Sequence, residues 1–447
     1  MAQNTSITYK EYNIEKRTPE QQLAEQLLLA RKHFVLGFEP GKGKSYPVIH
    51  AVLEVQRLKK RPINVLIMSD AATITHMWKA EIMPQSILPK ETYFVTDRLA
   101  IGTVKEALVK KTWDVIVVDE CQSLRSGVTR AKSQYAKLVY ALTKRTEYVF
   151  GMTGTLSGNN NIEPWCILHN LNVAGMGRID PRTFKNTFCN LELQYGPFGN
   201  FMKPTSLNQR GDELLTKAYD DGVMFWEYSD ADEMPPLEIE VVTFNVNTTP
   251  EYTNALNGIL KLGEYENTIM KATAIQKAQQ ALNGFIYYDD LGKRQTYEVA
   301  AYYNPKLPYV ISMYKNEPLI IGYRFQEDGN SILYTLREHN ISYTTDITEF
   351  RTTDKYQVLV LQCSRGKAAN LQKATGGVIY YSMDFSFISY KQFIHRVWRR
   401  NQTKPIKITV LINDTSDKYK VEQNIWNSMV KKQSIHDMLM AIKQKGM

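Results

Sequence analysis

Residues 35–52, "VLGFEPGKGKSYPVIHAV", decide how the rest of the chain is read. An apolar, strand-like run meets a glycine-rich turn, and the turn leads straight into a helix-like stretch. Pro47 falls in the first turn of that stretch, where its missing N–H costs nothing. Gly41 and Gly43 permit a tight loop whose backbone N–H groups point inward, a concavity suited to phosphate oxygens. In such a loop, built of Gly41, Lys42 and Gly43, Lys44 would reach β- and γ-phosphates and the Ser45 hydroxyl would hold magnesium. The full pattern GxxxxGK[ST] is not met, because Phe38 takes its first position and the glycine lies one place earlier. Alone, "GKGKS" reads equally well as a basic surface turn. Its place between strand and helix favours the phosphate loop.

A phosphate loop needs a metal carboxylate, and "WDVIVVDECQSL" (113–124) supplies one. A run this apolar reads as a buried strand, so Asp119 and Glu120 fall at the carboxyl edge of a sheet, where ligands bind. Asp119 can hold magnesium through water, and Glu120 can polarise an attacking water as a general base. Two acids at a strand end could instead cap the next helix, but the phosphate loop upstream makes the catalytic reading the better one.

Working outward, short apolar runs rich in β-branched residues recur at 64–68, 114–119, 147–152, 318–323, 356–362, 377–382 and 406–412. Most are continuous rather than alternating, as in parallel strands buried on both faces. Helix-like stretches such as 71–82, 131–143 and 331–339 separate many of them, which predicts an α/β architecture. The runs fall into two groups, so the chain reads as two parallel-sheet lobes, 1–240 and 241–447. The first would carry a helical excursion at about 160–235 and the second a helical and hairpin insertion at about 248–300. "GFIYYDDLGKRQTYEV" (284–299) has the look of that hairpin, and 417–445 carries an amphipathic pattern for a C-terminal helix.

The 447 residues are enough for two such domains, each with its own core. No stretch approaches the ~18 apolar residues of a membrane span, and the N-terminus has no apolar core of a secretory signal. Cys121, Cys166, Cys189 and Cys363 form no CxxC pair, which suits a reducing compartment, cytoplasm or host-cell interior. From Lys391 onward, 12 Lys and Arg face 4 Asp and Glu, so this stretch holds +8 of the chain's net +9. That bias points mildly to a polyanionic partner. Within it, "QFIHRVWRRNQ" (392–402) bunches three arginines that could grip a nucleic-acid backbone or reach a nucleotide's terminal phosphate.

Taken together, these motifs resemble the superfamily 2 helicases, and within them the Swi/Snf-type DNA translocases. "DECQ" is similar to the DExH-type box, with Gln122 where histidine is more usual. "MTGTLSGNNNIEPWCILHNLN" (152–172) resembles the Thr-Gly-Thr motif, with Thr153, Gly154 and Thr155 followed by Asn159 and Trp165. Trp78 and Glu81 stand in the expected order in "VLIMSDAATITHMWKAEI". In the second group, "NPKLPYVISMY" and "LIIGYRFQ" are similar to the lobe's opening helix and strand. "SRGKAANLQKA" (364–374) resembles the fifth motif. Gln392, Arg396, Arg399 and Gln402 match the spacing of the sixth, although Asn401 stands where that branch has glycine.

The resemblance implies two RecA-like lobes with ATP and Mg2+ between them, Arg396 and Arg399 acting as arginine fingers. Gln392 would lie in the nucleotide site, and Gln21 would read adenine, although Thr18 to Gln21 is also a helix capping box. Coupling would run through Thr153 and Thr155, and Ser69, Ser364, Arg365 and Asn370 would contact phosphates without base readout. The implied activity is an ATP-dependent DNA translocase or helicase. An RNA-directed or transcription-associated NTPase on the same core is the alternative. So bare a core is similar to compact phage and viral versions, and it leaves room for a partner protein.

Overall fold

The computed structural model describes residues 17–82, 88–128, 131–156, 160–196, 199–227, 234–299, 303–363, 371–383, 385–398, 402 and 404–431. Contacts divide the chain between residues 232 and 233 into two compact units, each built around one six-stranded sheet.

In the first unit the sheet comprises β1 (His33–Phe38), β2 (Val65–Ser69), β3 (Thr92–Thr96), β4 (Val115–Val118), β5 (Tyr148–Thr153) and, after the hairpin β6 (Cys189–Gly196) and β7 (Gly199–Leu207), β8 (Val223–Trp226). Their order is β3-β2-β4-β5-β1-β8, and every pairing is parallel. The continuous apolar runs have a simple cause. Val35, Leu66, Ile116 and Val149 enter one hydrophobic core, while Leu36, Ile67, Val117 and Phe150 enter another across the sheet. A strand covered on both faces cannot alternate apolar with polar residues. The helix α1 (Pro19–Arg31) and the helix α2 (Ser45–Lys59) contribute to the second of these cores, through Leu28, Val52 and Val55.

The second unit repeats the plan with β9 (Leu237–Asn245), β14 (Leu319–Tyr323), β15 (Tyr343–Thr344), β16 (Val358–Gln362), β17 (Val378–Tyr380) and β18 (Ile406–Asp414). Their order is β15-β16-β14-β17-β18-β9, again all parallel. Ile320 and Leu359 face one core, Ile321 and Val360 the other. Two hairpins stand outside this sheet, β10 (Ile259–Leu262) with β11 (Tyr265–Thr268), and β12 (Phe285–Asp290) with β13 (Lys293–Glu298). The fold is therefore two parallel α/β lobes of RecA-like layering, as expected.

Several local readings need correction. The excursion at 160–235 contains the helices Glu163–Asn170, Pro181–Phe188 and Gln209–Gly222, but also the β6–β7 hairpin and β8. The insertion at 248–300 holds two hairpins rather than one. β9 spans residue 240 and forms the outer strand of the second sheet. Its burial alternates along this edge, but out of step with residue type: Ile239 and Val241 are exposed, while half-buried Glu240 pairs with Lys407 on β18 at 3.1 Å. The stretch 71–82 opens as an α-turn and widens into a π-helix from Ile74 to Ile82. The C-terminal helix starts at residue 421, and its described part reaches 431.

Candidate nucleotide site

β1 delivers the chain to the phosphate loop at the carboxyl edge of the first sheet. Gly41 and Gly43 take φ of +94° and +74°, the left-handed region that a side chain resists. A Cβ on Gly43 would stand 2.7 Å from the Gln21 amide nitrogen, so that position is closed sterically as well. The loop is clamped from three sides. Glu39 N–H donates to the Trp226 carbonyl of β8 (3.0 Å), the Lys42 ammonium lies over the Trp226 ring at 4.5 Å, and Gln21 Nε2 donates to the Lys42 carbonyl (3.1 Å). Lys42 is thus turned into the protein, and its share in the loop is its backbone. Gln21 completes the capping box with Thr18, and the same side chain reaches the loop.

Lys44 folds over the loop, its ammonium donating to the Phe38 carbonyl at 3.1 Å. That contact needs only a main-chain oxygen, so Phe38 can occupy the pattern's first position and bury its ring edge-on against Trp226. Ser45 begins α2, its hydroxyl 3.8 Å from the Met77 sulfur.

β4 and β1 flank β5, which brings the acidic strand end and the phosphate loop to one sheet edge. Asp119 is only 4% exposed. Its two oxygens accept from the Trp78 indole N–H (3.0 Å) and the Glu120 backbone N–H (2.9 Å). Burial pushes its carboxyl up to about 7, and the neighbouring Glu120 charge adds to this. The Trp78 hydrogen bond and the Lys44 charge pull the other way. Glu120 sits at φ +50°, a strained backbone for a residue with a side chain and a frequent mark of functional positions.

Beyond the two acids runs a relay that no single motif discloses. Gln122 Nε2 donates to Glu120 Oε2 at 2.6 Å, and Gln122 Oε1 accepts from the Thr153 hydroxyl at 2.7 Å. The Thr155 backbone N–H then donates to Thr153 Oγ1 at 3.0 Å. Gln122 therefore holds both neighbours, an amide doing as donor and acceptor at once what one histidine tautomer would do. A Cβ on Gly154 would touch Pro40 at 3.0 Å, so the Thr-Gly-Thr turn also packs on the phosphate loop. Ser69, at the end of β2, is buried with no hydrogen-bond partner for its hydroxyl among the described residues.

In the second unit, the helix Phe387–Ile394 carries buried Gln392 and stops before the arginines. Residues 395–398 continue as turns and a bend, so Arg396 follows that helix rather than standing on it. The Arg396 carbonyl accepts from the Leu371 N–H at 2.9 Å, and Gln402 Nε2 donates to the Gln372 carbonyl at 2.9 Å. These bonds tie the sixth-motif turn to the end of the fifth-motif stretch. His395 is buried beside Trp398, a packing role. Ser364, Arg365, Asn370, Arg399, Asn159 and Asn401 lie outside the described residues.

Among the described residues no group of three His, Cys, Asp or Glu could cage a metal alone. Magnesium held by one or two protein oxygens, phosphates and water needs no such cage. The donor set fits: a hydroxyl at Ser45 and a buried carboxyl at Asp119, whose ionised form the Lys44 charge favours.

The described cysteines, Cys121, Cys166, Cys189 and Cys363, are all free and buried. Among the described residues no helix is long and apolar enough to cross a membrane.

No protein-family model matches this sequence, and no curated protein matches it. Among solved structures, the chain is similar to the SWI2/SNF2 ATPase core of Sulfolobus solfataricus in complex with dsDNA. Identity is 18% over 95% of this chain and 93% of that one, with a TM-score of 0.39. It is similar also to the Sulfolobus solfataricus SWI2/SNF2 ATPase core domain, at 17% identity over 92% and 89% of the two chains and a TM-score of 0.38.

Proposed function

We propose that this chain is an ATP-driven DNA motor of Swi2/Snf2 type. The observation that carries the reading is the joined edge of the first sheet: a phosphate loop beside a buried carboxylate, with a hydrogen-bonded relay leading away from it. Gly41, Gly43 and Lys44 would hold the nucleotide's phosphates, and Ser45 and Asp119 would hold magnesium. Held by those two side chains, a magnesium ion would supply positive charge against the phosphates. Trp78 orients Asp119 for that task. Glu120, kept in place by Gln122, would take a proton from the attacking water. Gln21, already on the loop, is assigned to the adenine. Arg396 and Arg399 are assigned to the transferring phosphate, where planar, permanently charged guanidinium is effective. Gln392 is assigned to the same nucleotide.

The relay gives coupling a physical form. A change in charge or position at Glu120 reaches the Thr153 hydroxyl through one amide and reaches Thr155 through its backbone. Ser69, Ser364, Arg365 and Asn370 are assigned to the DNA backbone as hydroxyl, guanidinium and amide groups suited to phosphates.

ATP hydrolysis by the purified protein alone, then with single-stranded, duplex and forked DNA and with RNA, tests this, with Lys44→Ala as control. Stimulation by DNA well beyond RNA is expected. A preference for RNA would transfer the same machinery to an RNA-directed NTPase, and silence with every substrate would sink the motor. Affinity should fall with salt at a slope of roughly −0.9 per phosphate contacted on duplex DNA.

A further inference from the structure

The phosphate loop carries two lysines, and they point to different ends. Lys44 folds back over the loop. Lys42 is only 2% exposed, and its ammonium lies 4.5 Å from the centre of the Trp226 ring. A buried ammonium is costly unless other groups replace its water, and the negative face of an indole is one such group. Beside a loop shaped for anions, this cation faces an aromatic ring instead.

The ring is placed by the strand that carries it. Trp226 ends β8, the outer strand of the first sheet, which runs parallel to β1 with Phe38 opposite Trp226. The two strands pack closely, since a Cβ on Gly37 would stand 2.8 Å from the Phe225 ring. The Phe38 ring meets Trp226 edge-on at 5.2 Å, and the ladder runs one residue past β1, through the Glu39 N–H to the Trp226 carbonyl. On the other side, Gln21 holds the Lys42 carbonyl. Lys42 is therefore fixed twice, by its backbone to α1 and by its side chain to β8. The glycines on either side of it, Gly41 and Gly43, take the left-handed conformations that shape the loop. β8 is also the last strand before the chain passes into the second unit, between residues 232 and 233.

We propose that Lys42 and Trp226 form a latch that sets the shape of the phosphate loop and ties its nucleotide affinity to β8, the strand by which the chain leaves the first lobe. Both are positioning residues, acting on the nucleotide through the backbone of Gly41 to Ser45. An outer strand has a single neighbour in its sheet, so a displacement of β8 reaches the loop through this contact and through Glu39. The proposal rests on the reading of this loop as the nucleotide site and adds which side chains govern it.

Two measurements test it: ATP affinity by equilibrium binding, and amide hydrogen exchange over residues 41–45 without nucleotide. Trp226→Leu keeps an apolar filler and removes the π face. It should weaken ATP binding about tenfold, the order of a desolvated cation–π contact, and quicken the exchange. Trp226→Phe keeps a ring and should restore most of both. Lys42→Met should match Trp226→Leu, and the double variant should be no worse than either, because both remove one contact. Additive losses, or unchanged affinity in Trp226→Leu, would overturn the latch. A loss confined to Lys42→Met would make that lysine a phosphate ligand. Gly37→Ala drives a Cβ into Phe225 and should quicken the same amides, with Phe225→Ala in the same chain slowing them again; unchanged exchange would cut β8 out of the device. A native protein that binds no ATP would fail the nucleotide reading, while the exchange measurements would still decide the latch.

Discussion

Two buried carboxyls, one in each lobe, are both pushed up to about 7, and burial is the main cause for each. Around Asp119 stand a second carboxylate, one lysine and an indole. Asp328, at the start of the helix Gln326–Glu338, accepts from the Ser382 hydroxyl and from the Phe325 N–H (3.2 Å). Ser382 in turn accepts from the Arg324 N–H at 2.8 Å, so Asp328 fastens the end of β14 to the end of β17. Nearby, the Lys306 ammonium is closed on by Glu422 (2.7 Å), the Tyr381 carbonyl (3.1 Å) and Asn283 (3.4 Å), all inside the protein. A displaced pKa therefore does not by itself mark chemistry. What separates the two is position rather than satisfaction: both hydrogen bonds to Asp328 fall on one oxygen inside the second lobe and its other oxygen has no hydrogen-bond partner among the described residues, whereas Asp119, with both oxygens bonded, sits at a sheet edge beside a glycine loop.

The sharpest way to break this contrast is to mutate the first site. Lys44→Ala should cut ATP hydrolysis on the order of 10³-fold or more with the fold intact by circular dichroism. Arg399→Ala should lower turnover by ~10³–10⁵ with little change in nucleotide affinity. Loss of DNA binding with hydrolysis untouched would assign that arginine to the backbone instead. The second network should answer in stability. Lys306→Met strands Glu422 and should cost about 3–5 kcal/mol in urea unfolding, while Lys306→Met with Glu422→Leu should recover most of it.

Smaller effects sharpen the comparison. Thr153→Val cuts the relay at Gln122 and should reduce DNA stimulation about tenfold, equivalent to ~1.4 kcal/mol, while nucleotide binding persists. If stimulation survives, the coupling runs elsewhere. The least effect is in pH. Asp328 lies above its ordinary value of 3.8, so the folded state binds its proton more tightly than the unfolded chain does. The stability this contributes is full below pH 3.8 and is lost as pH rises through about 7. Between pH 5 and 7 the native protein should lose on the order of 1 kcal/mol more than Asp328→Asn in parallel urea titrations. A parallel pair of curves would mean the carboxyl is not held neutral.

How far the residues alone lead differs from site to site. The tight glycine loop after β1 and the placement of Asp119 at the same sheet edge were legible because glycine freedom and an acid after a buried strand are local features. Trp78 was legible as a motif member but not as the donor that orients Asp119, which lies 41 residues away. The hairpin β6–β7 was missed although the glycines of "YGPFGNF" mark a turn between two β-rich arms, because short exposed strands carry little apolar signal. β9 does alternate over "LEIEV" after Pro235 and Pro236, which would have found the strand but not its inward face, because Ile239 and Val241 are exposed.

By itself the sequence determined the two lobes, the parallel character of their strands and the residue types that meet at the carboxyl edge of the first sheet. Each depends on periodicity or on residue type over a few positions, and burial on both faces leaves a continuous apolar run whatever the topology. Tertiary structure alone decided the partners: Gln122 between Glu120 and Thr153, Lys306 against Glu422 from 116 residues away, and Lys42 over the ring of Trp226. Hydrogen bonds and ion pairs act over about 3 Å, and which groups come that close is set by strand order and chain crossing, which no local pattern encodes.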